Sequence, residues 1–349
     1  MGFCYGWAME SMTRKRSLLG GGLRLGVLLL GMVAALGIAI SSMMGKPDLS
    51  LLRPLEGPSG WQHYSKAMEL LPEGVDYGGT NLVELAAKLE AARPALDELR
   101  LGLELPNQMP GDQESVDKLI RLRTFKALGA ALGASSRLSA ARGDWTNAVA
   151  RAREMVRFGQ EFSRGVVIHA MMGISVENAG VRQLVSLVGS LDGAALEEVA
   201  AWLRKTERRA EPWEKIMARE RSFMNASAQN WLHKMAGKYA AWKGKLFEEV
   251  EGRRRASLVE GRLAQVFVAI RRHELEHGRA PATLAELVPA LLPEIPGDML
   301  GAGPLKAVAK DGRLVVYSVG PDGVDNQGTG DDILPTPASS PASREKAKR

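Results

Sequence analysis

Three residues in the stretch RRHELEHGRAP, residues 271–281, are of types and spacing that could do chemistry: His273, Glu274 and His277. On an α-helix, residues four apart share a face, so both imidazoles would point the same way. H-E-x-x-H is the zinc signature of metallopeptidases, in which the glutamate serves as general base for a zinc-bound water. A catalytic zinc takes three protein ligands, and the third would have to be Glu286 or Glu294, each in a short proline-bounded element. The local signals point elsewhere. Gly278 stands where a left-handed helix terminator belongs, and Pro281 forbids continuation. No H-x-x-G-x-x-H extension follows, and Arg271, Arg272, Glu274 and Glu276 suit a wet surface. The motif is therefore read as a solvated helix end, with a zinc metallopeptidase using His273, Glu274 and His277 as the alternative.

A second set is the loop GPDGVDNQGTGDDI, residues 320–333. It brings Asp322, Asp325, Asn326, Asp331 and Asp332 together with glycines that let the backbone fold around a cation. Calcium takes six to eight oxygens from such mixed carboxylate and carbonyl donors. The spacing is not that of an EF-hand, so the expected role is structural: holding the loop on its neighbours. The remaining histidines, His63, His169 and His233, are scattered and read as packed or surface side chains. The chain has no G-x-S-x-G, no Walker A and no G-x-G-x-x-G after a strand. Cys4 is the one cysteine, which excludes an intrachain disulfide and a cysteine zinc site.

The elements that must position these residues belong to a chain of 349 residues, 45% apolar and 25% charged, long enough for a sizeable core. The net charge of +6 is located at the ends: residues 1–24 and 341–349 each carry four basic and one acidic side chain. That distribution argues against nucleic acid as a partner. Residues 25–44, LGVLLLGMVAALGIAISSMM, carry no charge, and a helix of that length rises about 30 Å, enough to span a bilayer. Arg14, Lys15, Arg16 and Arg24 precede it, which places the N-terminus in the cytoplasm and the bulk of the chain outside it. A cleaved signal peptide, with Ala39 and Ser41 near its end, and hence a soluble secreted form, is the alternative. The Gly-rich 20–26 segment leads into this span and reads as flexible packing.

Residues 45–60 have the proline and glycine density of a linker, and a helix is expected from near Trp61. Asn81 with Glu84 forms a capping-box pattern, Pro94 should interrupt or kink the helix it opens, and Asp112 should cap the next one. Helical periodicity then continues to about Arg255, broken at 141–145, 190–194 and 211–213. The stretch AARGDWTNAVARAREMV resembles the turn and second helix of a tetratricopeptide-like hairpin, but no 34-residue period follows. Trp213, Trp231 and Trp242, with Met217, Met224, Ala228 and Met235, form one stripe, read as core. The 17 basic against 8 acidic side chains of residues 204–272 are read as a solvated face.

Near residue 260 the texture changes. Thr283 and Glu286 give a capping box for a short helix, and Asp311-Gly312 between two strand-like runs signals a hairpin. The pattern A-I-x-x-H-x-L-x-H-G-x-A-P from Ala269 to Pro281, then T-L-x-x-L-x-P, the hairpin, Y-S-x-G-x-D-G from Tyr317 and D-D-I from Asp331, resembles the C-terminal half of the major pseudopilin of type II secretion systems. Ala269, Ile270, Leu275, Gly278 and Pro281 match the family, whereas His273 replaces its tyrosine and His277 its asparagine. Residues 16–45 lack the family's processing glycine and F-T-L-x-E start. The resemblance covers residues 261–334 and implies a small α+β module with a structural calcium in the acidic loop.

The expected protein is mainly α. A basic cytoplasmic segment (1–24) and a transmembrane signal anchor (25–44) are followed by a linker (45–60). An extracytoplasmic irregular helical bundle or short solenoid (61–260) then leads to the pseudopilin-like module (261–334) and a disordered basic tail (335–349). Its expected role is non-catalytic: a structural or interaction protein of the bacterial inner membrane and envelope, with envelope proteins as partners.

Overall fold

In the computed structural model, residues 48–53, 55–79, 81–111, 122–227, 237–310 and 312–335 are described. The predicted membrane span, the basic N-terminal segment, the tail after 335, Asp112, Trp231 and His233 lie outside them. Among the described residues the chain is mainly helical, and no helix there is long and apolar enough to cross a membrane. Eight α-helices occur among the described residues: α1 (Gly60–Leu70), α2 (Leu82–Leu103), α3 (Leu122–Ala141), α4 (Trp145–Phe162), α5 (Val167–Leu187), α6 (Gly193–Glu207), α7 (Trp213–Ser227) and α8 (Gly237–His277). A two-stranded antiparallel sheet, β1 (Lys306–Lys310) and β2 (Arg313–Tyr317), closes the C-terminal end.

Short polar side chains set several helix starts by accepting backbone N–H groups that have no intrahelical partner. Asn81 accepts from the nitrogens of Val83 and Glu84, Asp144 from Asn147, and Asp192 from Ala195. Glu84 does not return the capping bond but pairs with Lys88 at 2.6 Å. Of the interruption or kink expected at Pro94, the interruption does not occur: helix α2 runs on through it. The α3–α4 turn is built as its sequence suggests: Gly143 has φ 74°, and Ala148 is fully buried against the preceding helix, its carbonyl accepting from Ser136 Oγ at 2.8 Å.

One core joins α1 to α5 around a ring cluster. Phe125 stacks on Phe162 at 3.7 Å between centroids, Phe158 lies 4.7 Å from Phe125, and Tyr64 meets Phe158 edge-on at 5.4 Å. Helices α4 and α5 approach closely along Gly159, Gly173 and Gly180, where a Cβ would strike backbone of the facing helix. Trp213 and Met217 pack with Ile216, Val167, Ala170 and Val250, so the start of the Trp/Met stripe is core.

Helix α8 continues without a break past residue 260 and serves two cores at once. Ala264, Phe267 and Val268 pack against α4, α5 and α6, whereas Val259, Leu263, Val266 and Ile270 pack against Leu287, Leu292, Leu305 and Val316 of the C-terminal module. A polar clasp reinforces the join. Glu207, at the end of α6, accepts from Arg262 Nε at 2.8 Å and Gln265 Nε2 at 2.9 Å, and Arg262 also donates to the carbonyl of Gly297 at 2.7 Å. Basic residues of 204–272 are committed inside in the same way: Arg219 binds the buried Glu211, which Arg164, earlier in the chain, also reaches, and Arg254 donates to its carbonyl.

Candidate functional site

Helix α8 ends at His277, and Gly278 takes φ 70° with its nitrogen bonded to the carbonyl of Glu274 at 2.9 Å. The turn that follows folds back under the last helical turn, so the motif is not the wholly solvated end expected. His273 is buried and stacks on His277 at 4.1 Å between ring centroids. His273 Nδ1 faces the carbonyl of Arg279 at 3.2 Å, and His277 Nδ1 faces the carbonyl of His273 at 3.1 Å. Carbonyls only accept, so each neutral ring carries its proton on Nδ1 and leaves Nε2 as a lone pair.

Of the two acids considered as a third zinc ligand, Glu286 arrives and Glu294 does not. Glu286 Oε2 lies 3.5 Å from His273 Nε2, but the same carboxylate is held by Arg279 Nη2 and the nitrogen of Ala282, each at 2.8 Å. Those two donors keep its carboxyl below the usual glutamate range. The expected capping box at Thr283 is therefore half made: Thr283 gives no side-chain cap, and the segment is a single 3-10 turn, Leu284–Leu287. Glu274, the would-be base, pairs with Arg271 at 2.8 Å. Glu294 is exposed and lines a separate cleft. Among the described residues, no three His, Cys, Asp or Glu side chains are grouped to hold a metal ion.

The expected hairpin forms, with Lys306 opposite Tyr317 through to Lys310 opposite Arg313 and Gly312 at φ 73°; Asp311 lies outside the described residues. The acidic loop then returns to the sheet, with Ser318 paired to Ile333. Asp325 is spent on this closure. Its Oδ2 accepts from Lys306 Nζ and its Oδ1 from the Tyr317 hydroxyl, both at 2.8 Å. Lys306, the Gln327 nitrogen and Tyr317 together draw its carboxyl down to about 2, while burial and that carboxylate push the Tyr317 hydroxyl up to about 12.

Asp332 accepts from the nitrogens of Gly328 at 2.7 Å and Asn326 at 3.4 Å. Asp331 accepts from Asn326 Nδ2 at 3.1 Å, and Asp322 from Val324 nitrogen at 2.8 Å. The donor types are those calcium takes, but in this structure the carboxylates of Asp322, Asp331 and Asp332 accept from N–H groups of the loop itself and are not gathered around one point, while Asp325 faces the hairpin.

Asp298 is a member of this assembly that the sequence reading missed. It is buried, its Oδ1 accepts from Ser318 Oγ at 2.8 Å and its Oδ2 from Val319 nitrogen at 3.0 Å, which pins the turn before β1 to the exit of β2. The Pro-Gly-Asp turn signal at 296–298 was available, but nothing local says what Asp298 binds.

Compared with known protein families, curated proteins and solved structures, the chain matches none of them.

Proposed function

We propose that this protein is a membrane-anchored, non-catalytic structural or interaction protein of the bacterial cell envelope, with a C-terminal module of pseudopilin type. The observation that carries the reading is the long helix α8, which ends in a compact hairpin-and-loop cap whose polar side chains are turned into internal clasps. Groups that would do chemistry need free lone pairs aimed at a shared space. Here Glu274 is paired with Arg271, Asp325 with Lys306, and the carboxylate of Glu286 is held by Arg279 and the Ala282 nitrogen. The anchor is the apolar segment 25–44. A reporter fused after Arg349 should be active outside the cytoplasm; activity only inside it reverses the proposed topology.

Calcium is the cation of this reading, drawn to Asp322, Asn326, Asp331 and Asp332, and its role is to hold the loop. Added calcium is expected to raise the melting temperature by a few degrees, and Asp331→Ala with Asp332→Ala to abolish the shift. No shift in the parent protein retires the ion.

The zinc metallopeptidase is kept as a second reading for one reason: Glu286 Oε2 lies 3.5 Å from Nε2 of His273. Metal analysis of the purified protein separates the two. One zinc per chain, lost in His273→Ala, would replace the non-catalytic reading.

A further inference from the structure

A cleft of about 320 Å³ opens at the seam between the helical body and the C-terminal module. One wall is the last turn of α6 and the residue after it, presenting Arg204 and Arg208; the other is the segment from Leu292 to Gly297, presenting Pro293 and Pro296. The floor is already closed, because Glu207 is held by both Arg262 and Gln265.

Arg204 and Arg208 line the cleft without being committed to an internal pair, unlike Arg164, Arg219 and Arg262. Neither guanidinium has a hydrogen-bond or ion-pair partner among the described residues. Arg204 is in the last turn of α6 and Arg208 is its C-cap residue, still in helical backbone conformation, so the two are near neighbours and both line the cleft. The acid left in the cleft is Glu294, which is exposed and pairs with neither of them. With Arg262 and Glu207 neutralising each other, two cations stand against one anion.

We infer that this cleft binds an extended acidic peptide segment of a partner protein. Guanidinium forks match carboxylates in a bidentate way, so acidic side chains of the ligand engage Arg204 and Arg208. An extended strand alternates its side chains, and apolar residues between the acids then meet Pro293 and Pro296. A free oxyanion finds donors on one wall only, which is why a peptide is favoured over phosphate. The inference deepens the interaction role proposed above by naming the partner's chemistry, and it relies on that role only for where the partner lies.

The test is fluorescence anisotropy with the full-length protein in detergent and a labelled peptide of alternating Asp and Leu. Binding is expected, weakened about tenfold or more by Arg204→Ala with Arg208→Ala, as the loss of charge-assisted pairs predicts. Glu294→Gln should tighten it, and Arg253→Ala with Arg255→Ala, an exposed pair elsewhere on α8, should leave it unchanged. Equal binding of the Asn-substituted peptide overturns the proposal. So does inorganic phosphate displacing the peptide at equal concentration, or capture by vesicles of anionic lipid without capture of the peptide. A cytoplasmic reporter signal from the Arg349 fusion would instead overturn the envelope role and leave the cleft result standing.

Discussion

Glu177 is a half-buried carboxylic acid packed where its charge is poorly solvated. It lies on α5 beside Gln160, whose Nε2 donates to it at 2.7 Å, and burial pushes its carboxyl up to about 7 against the opposing pull of Gln160 and Arg254. A raised carboxyl binds its proton more tightly in the folded state than in the unfolded one. Its contribution to stability is therefore fully present below the ordinary glutamate value and is lost as pH rises towards about 7. Glu177→Gln keeps the acceptor for Gln160 and removes the charge. Urea denaturation at about pH 8 should find the variant more stable by about 1–3 kcal/mol, with the advantage gone near pH 4. Equal stability at both pH values would show that the charge costs nothing there. The sequence marks Glu177 only as one acid in a helical run, because its partners are 17 and 77 residues away on α4 and α8. His273 repeats the lesson. Its helix-terminal position was legible from Gly278 and Pro281, but its burial depends on the turn that folds back beneath it.

Among the elements, the pair α4 and α5 is held by backbone approach as much as by side chains. A Cβ at Gly159 would lie 2.5 Å from both the Glu177 nitrogen and the Gly173 carbonyl oxygen, and one at Gly173 would meet Ser163 and Gly159. Rigid backbone atoms cannot swing away, so the helices themselves would have to part. Gly173→Ala is expected to cost about 1–3 kcal/mol in thermal or urea unfolding, whereas Gly189→Ala, with open space at its Cβ, should change little. The positions of these helices were readable from periodicity, caps and the Gly-Asp turn at 143–144. At Pro94 the sequence offered an interruption or a kink, and the interruption does not occur: the ring removes one N–H from the ladder, yet α2 continues, packed on α1 and α3 through Leu89, Ala92, Leu96 and Leu99.

For the whole molecule, the question is how a helical body and a small α+β end act as one piece. Helix α8 supplies apolar contacts to both, and the Glu207 clasp ties α6, α8 and Gly297 together. Removing the acceptor leaves Arg262 and Gln265 without it, so Glu207→Ala should lower stability by about 1–3 kcal/mol. Hydrogen exchange should then speed up at Gly297 and Asp298 while the α4–α5 core keeps its protection; uniform loosening would mean that the clasp does not join the parts. What the sequence by itself determined is the local order: helices where apolar residues recur, a stop at Gly278, a hairpin around residue 311 and an acidic return loop, because each is set by neighbours a few positions apart. Only the tertiary structure decided which charges are spent and which remain free. That assignment depends on pairs such as Glu207 with Arg262 and Asp298 with Ser318, brought together across 55 and 20 residues by the burial of helix faces.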